Sequence, residues 1–257
     1  MDMTTMPLGW RVYGAGIMAL GLACLASADF VVAQPLPKAF AYRGALAFAA
    51  AAFLLVAGAC IEWRRTTSRA AAAIAAAYAL VLLAMDAPAI VAGAGVYGLY
   101  SGCAEQLAIF AGALIVHACS AGMAPARAAR LARAGQATFG ICALLFGGAH
   151  FVYMNLTAPL VPKFLPPSQE FWAIATGVGH IAAGLALVTG VQARLAVILL
   201  AAMYASFTPF VHLPMLLAQP HSHGIWTENA INLALAGAAW VVADSLARKQ
   251  DAKLSVR

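Results

Sequence analysis

Eight stretches of about twenty residues in this chain are almost wholly apolar, and that is the length a helix needs to cross the hydrocarbon of a bilayer. They fall at roughly 12–32, 40–61, 70–90, 103–122, 134–154, 170–190, 194–216 and 226–247, leaving only short connections. Charged residues make up 9% of the 257 and hydrophobic ones 64%, with a mean hydropathy of +0.87. A soluble domain carries about 25% charge, so a soluble enzyme, a nucleic-acid binder and a disordered tail are all excluded. Runs such as AAAIAAAYALVLLA lack the apolar–polar alternation of a β-barrel strand. The sequence predicts an all-α integral membrane protein with eight transmembrane helices.

Orientation follows from the cations, which collect on the cytoplasmic side of a membrane protein. With both termini cytoplasmic, twelve lie inside, namely Arg11, Arg64, Arg65, Arg69, Arg127, Arg130, Arg133, Arg194, Arg248, Lys249, Lys253 and Arg257, and three outside, Lys38, Arg43 and Lys163. This asymmetry accounts for the net charge of +6 without a nucleic-acid partner; the bilayer is the partner. Ala26-Ser27-Ala28 resembles a signal-peptidase site, but the preceding run is long and weakly basic, so the segment reads as a retained helix. Cys24, Cys60, Cys103, Cys119 and Cys142 sit in apolar segments without metal or redox spacing and read as small fillers.

The chain also reads as a four-helix unit written twice. Asp29-Phe30 matches His150-Phe151, and Pro35-Leu36 with Pro37-Lys38 matches Pro159-Leu160 with Pro162-Lys163. Tyr78, Asp86 and Pro88 match Tyr204, His212 and Pro214, and Glu105-Gln106 matches Glu228-Asn229. An even number of helices per unit makes the repeats parallel, related by an axis along the membrane normal. The expected division is a first repeat at 10–122, a basic cytoplasmic linker at 123–136, a second repeat at 137–247 and a basic cytoplasmic tail at 248–257.

Ionisable groups inside a membrane helix are expensive, by roughly 2.5–3.5 kcal/mol at its centre on insertion scales, so each asks for a reason. Asp29, Asp86 and Glu105 in the first repeat, and His150, His212 and Glu228 in the second, fall in the outer turns of their helices. Asp29, Asp86 and Glu105 read as structural hydrogen-bonding groups. His180 lies near the middle of the sixth span, where the first repeat has Phe48. His150, His180, His212 and Glu228 together form the candidate site, since imidazole and carboxylate either ligate a transition metal or relay protons near neutral pH. Asn155, Asn229 and Asn232 are candidates to orient them. His117 reads as an interfacial histidine, and His221 with His223 as a loop pair of weak metal spacing.

Trp10, Trp63, Trp172, Trp226 and Trp240 fall where an aromatic belt is expected, and Gly177, Gly179, Ala183 and Gly184 form a close-packing face. The segment PLVPKFLPPSQEFW at 159–172 carries four prolines and cannot be a free helix. It is a stiff connector or a lid that brings Lys163, Glu170 and Trp172 over a ligand.

The order FGGAHF, APLVPKFLPP and EFWAIATGVGHIAAGLALVTG, followed by an Arg-containing turn, resembles the DoxX family of small four-helix bacterial membrane proteins. Gly177-Val178-Gly179-His180-Ile181-Ala182-Ala183-Gly184 is similar to the family's G-V-x-E-I-x-G-G core, with His180 where many members have Glu. The resemblance covers 137–247, and reaches 10–118 only through the repeat. It implies a bacterial inner-membrane location and an association with quinone-linked reduction, oxidase complexes, or redox and metal stress. The expected function is therefore a quinone-linked redox component with its site in the periplasmic half of the bilayer. His150, His180, His212 and Glu228 would act on the quinone, and Asn155, Lys163, Trp172, Asn229 and Asn232 would help bind it. No C-x-x-C-H, dinucleotide-binding glycine pattern or thiol pair is present, so an electron-carrying partner subunit or a purely quinone-bound mechanism is needed. The alternative is a non-enzymatic binding or transport protein for a metal ion or small lipophile, using the same four residues; the oligomeric state is left open.

Overall fold

The computed structural model describes residues 6–31 and 39–254. No strand occurs among them, and eight helices are long and apolar enough to cross a membrane. They are α1 (Leu8–Ser27), α2 (Arg43–Ile61), α3 (Arg64–Ala92), α4 (Tyr97–Ser120), α5 (Pro125–Val152), α6 (Gln169–Thr189), α7 (Ala193–Ala218) and α8 (His223–Leu254). The expected spans are all found with shifted ends. Ala28, at φ 50°, stops α1 at Ser27, short of the expected 32. Most of the expected basic linker is helical, because α5 begins at Pro125, a residue whose missing N–H and fixed φ suit a first helical turn. The expected tail is helical as far as Leu254. Pro35, Leu36, Pro37 and Lys38, used in the repeat match, lie outside the described residues, as does Arg257.

Helix α1 packs on α2 and α8, and α5 on α6 and α4. Helix α2 touches α3, α3 touches α4, α6 touches α7, α7 touches α8, and α4 meets α8 at the centre. Small residues set these approaches. A Cβ built on Gly58 would lie 2.8 Å from the Gly14 carbonyl oxygen, and one on Gly184 2.7 Å from that of Gly140. Between α4 and α8, a Cβ on Gly112 would lie 3.0 Å from that of Ala238.

Helices α3 and α7 each widen by one residue before their last turns. Ala87 donates to the Leu82 carbonyl and Leu213 to that of Thr208, giving π-turns at Leu82–Asp86 and Thr208–His212. Pro88 and Pro214 follow, and a proline ring clashes with the carbonyl four residues back while leaving it without a donor. Widening the turn relieves that clash and frees carbonyls for side chains.

A spacing of 126 residues relates these features: Leu82 to Thr208, Ala92 to Ala218, Gly14 to Gly140, Gly58 to Gly184, and Gly112 to Ala238. The same spacing links the Tyr100 hydroxyl, donating to the Ala94 carbonyl, with the Trp226 indole, donating to that of Pro220. It keeps the matches of Tyr78 with Tyr204 and Asp86 with His212. It changes three others. On that spacing Cys24 stands opposite His150, Leu54 opposite His180 and Gly102 opposite Glu228, where polar identity pairs them with Asp29, Phe48 and Glu105. The two pairings differ by several residues on those helices, and backbone contact between glycines tolerates no slide.

Candidate functional site

Of the four predicted site residues, the structure brings His150 and His180 into ring contact, with centroids 5.0 Å apart. Gly177 permits it: one turn before His180, its missing side chain leaves room for His150, whose Cβ would lie 2.9 Å from a Cβ there. Each imidazole Nδ1 lies 2.9 Å from a carbonyl oxygen one turn back, His150 from Phe146 and His180 from Thr176. A carbonyl can only accept, so both rings carry their hydrogen on Nδ1, and a neutral ring then offers Nε2 as an acceptor.

Helix α7 completes the surroundings. The Tyr204 ring lies 5.5 Å and the Phe207 ring 6.4 Å from His180, with Phe146 of α5 at 6.2 Å. His180 is 2% exposed, and the buried Tyr204 hydroxyl has no hydrogen-bond partner. An orphaned buried hydroxyl costs about 1–3 kcal/mol, and Tyr204 is the donor of this cluster that is left without an acceptor. Two acceptors and one donor thus sit in an aromatic box between α5, α6 and α7. Phe146, Tyr204 and Phe207 were missed as site residues in the sequence; the only signal was Tyr204 aligning with Tyr78.

His212 and Glu228 make their described contacts elsewhere. His212, half-buried in the π-turn, accepts at its carbonyl from Asn229, at 3.4 Å. Asn232, buried, donates to the Tyr204 carbonyl and the Thr208 hydroxyl, both at 3.1 Å, and so fastens the π-turn to α8. In α3 the same service falls to Gln106 on α4, which donates to Asp86 at 3.0 Å. Glu228 is exposed near the start of α8, within electrostatic reach of Glu105 on α4. Among the described residues no three His, Cys, Asp or Glu stand together as a group able to hold a metal ion.

Of the predicted auxiliary residues, Asn155 and Lys163 are exposed. Lys163 and Phe164 line, with Pro209, Phe210 and Met215 of α7, a cavity of about 370 Å³ under the proline-rich segment. That segment faces the π-turn of α7 across this cavity and is pinned to the start of α6: Gln169 donates to the Val161 carbonyl, and Trp172 to that of Pro166 at 2.9 Å. The Trp172 indole is thereby occupied by the chain itself.

Asp29, just beyond α1, accepts from Arg43 at 2.6 Å, and this bond holds its carboxyl below the usual aspartate range. It ties α1 to α2. His117 is likewise structural, its Nδ1 lying 3.0 Å from the Ser68 carbonyl.

A family model described as a domain of unknown function, DUF8561, matches residues 139–243, from Phe139 in α5 to Ala243 in α8. The match contains all four predicted site residues and the aromatic box. No curated protein and no solved structure matches the chain.

Proposed function

We propose that this chain is a multi-pass protein of the bacterial inner membrane, a tandem duplication of a DoxX-like four-helix unit with both termini cytoplasmic. The second unit binds a quinone-class lipophile and exchanges protons with it. Large apolar residues on the outward faces support the bilayer setting. Leu83 is 74%, Val91 81% and Leu217 74% exposed, a surface that water would penalise and lipid would cover. The 126-residue recurrence of glycine contacts and π-turns supports the duplication.

The observation that carries the functional reading is the pairing of two imidazole acceptors with the unpartnered Tyr204 hydroxyl. A hydroquinone hydroxyl donates to a neutral Nε2, while a quinone carbonyl accepts from Tyr204. On oxidation of the hydroquinone, each imidazole is placed to take a proton, and the electrons pass to a partner subunit that supplies the acceptor. On this reading His212 and Glu228, which stand nearer the outer ends of α7 and α8 than Tyr204, carry the protons onward to the periplasmic side. A second reading, binding or transport of a lipophile or metal ion without redox turnover, draws on the Glu105–Glu228 carboxyl pair between α4 and α8.

The test is a reduced-minus-oxidised difference spectrum and quinone extraction on protein purified with its lipids. Quinone near stoichiometric amounts is expected in the wild type. It should be lost in His180→Leu, which places there the residue type that α2 carries at Leu54 and keeps the helices packed. A flat spectrum from folded, lipid-retaining wild type overturns the redox reading; a retained ligand that never turns over favours the second.

A further inference from the structure

At the opposite end of the bundle, the last turns of α4 and α8 and the first turns of α5 enclose a cavity of about 910 Å³. That is within the range of small-molecule pockets, about 300–1,000 Å³. Its walls are apolar and small, among them Ala128, Ala132 and Leu246, and its rim carries Arg133, Arg248 and Lys249. At the 126-residue spacing the counterpart of Gln136, which lines this cavity, is Trp10 on α1. Trp10 is buried at 7% exposure, with the Arg248 guanidinium 4.9 Å above its ring. Gln136 is shorter, and its amide is drawn away to the Leu187 carbonyl at 2.9 Å.

The three cations are not equivalent. Arg133 is committed to the end of α6, donating to the Leu187 and Val188 carbonyls at 2.8 and 2.5 Å. Arg248 lies over Trp10 and is within electrostatic reach of Asp244. Lys249 is exposed. Among the described side chains at this mouth, three positive groups stand against one negative, which complements a molecule with an anionic head and apolar tails.

We propose that this cavity is a binding site for an anionic phospholipid, its phosphate between Arg248 and Lys249 and its acyl chain along Ala128, Ala132 and Leu246. The inference rests on the membrane reading above, since it places the cavity at the cytoplasmic interface, where anionic head groups meet basic side chains. It is independent of the quinone reading.

Native mass spectrometry of the full chain in mild detergent, titrated with phosphatidylglycerol or phosphatidylcholine of matched chains, tests it. One phosphatidylglycerol is expected to remain bound in preference to phosphatidylcholine. Binding should weaken roughly thirtyfold in Arg248→Ala/Lys249→Ala, at about 1 kcal/mol for each cation lost. Lys249→Ala alone, at an exposed position, should weaken it roughly fivefold on the same scale without touching the fold. Ala132→Phe keeps every charge but fills the recess, and should also lose the lipid. Equal retention of both lipids, wild-type binding in these variants, or displacement by millimolar inorganic phosphate alone overturns the assignment. Recovery of the chain in the soluble fraction without detergent would instead overturn the membrane reading itself.

Discussion

Where α5, α6 and α7 carry His150, His180 and His212, the helices 126 residues earlier carry Cys24, Leu54 and Asp86. Both sets sit on backbones with the same glycine contacts and the same π-turn. The backbone geometry therefore does not depend on the polar cargo. What it supplies in both halves is a widened turn with freed carbonyls, held from the neighbouring helix by an amide. In the first half the amide goes to Asp86, and Tyr78 is within electrostatic reach of Cys24, which offers no imidazole. In the second, Asn232 bonds to backbone and hydroxyl, leaving the imidazole pair to face Tyr204.

The comparison can be broken most forcibly at the glycines. Gly58→Val and Gly184→Val should each destabilise the protein by about 1–3 kcal/mol, seen as parallel losses in thermal stability in detergent. A tolerated change on one side only would mean that the two helix pairs are not packed alike. The amides come next. Gln106→Leu should destabilise by about 1–3 kcal/mol, the penalty for leaving a buried group unsatisfied, because Asp86 already has one buried oxygen without a partner. Asn232→Leu should fall in the same range or below it, and should also perturb any ligand signal at Tyr204, which Gln106→Leu should leave alone.

The smallest effect concerns pH. Asp29 and Arg43 pair in the first half, while 126 residues on stand the neutral Asn155 and Gln169. The Asp29 carboxyl is held below its ordinary value of 3.8 by the Arg43 hydrogen bond. Its contribution is thus fully present above the unfolded value and is lost as pH falls through the lower folded value. Melting temperature measured from pH 6 down through the region below about 3.8 should fall slightly more in wild type than in Asp29→Asn. Identical profiles would show that the pair contributes nothing measurable, as exposed ion pairs often do.

Much of this was legible from the sequence. Length and lack of charge give the eight helices, because an apolar run of that size has only helix or barrel as a way to satisfy its backbone in lipid. Pro88 and Pro214 mark the two disturbed helices, and His150 and His180 were already singled out as ionisable residues in apolar surroundings. The aromatic half of the site was not legible, since Phe146, Tyr204 and Phe207 look like any other apolar-helix residues until α5, α6 and α7 are packed together.

Register, too, belonged to the tertiary structure. Polar identity paired Asp29 with His150 and Glu105 with Glu228, but a side chain's chemistry does not fix its height along a neighbouring helix. Carbonyl-to-glycine contacts do, because a backbone approach within about 3 Å of a would-be Cβ leaves no alternative seat. The sequence by itself determined that the chain forms apolar helices and which groups are costly to bury. Only packing decided which of those groups meet, because that depends on where the smallest side chains let the helices touch.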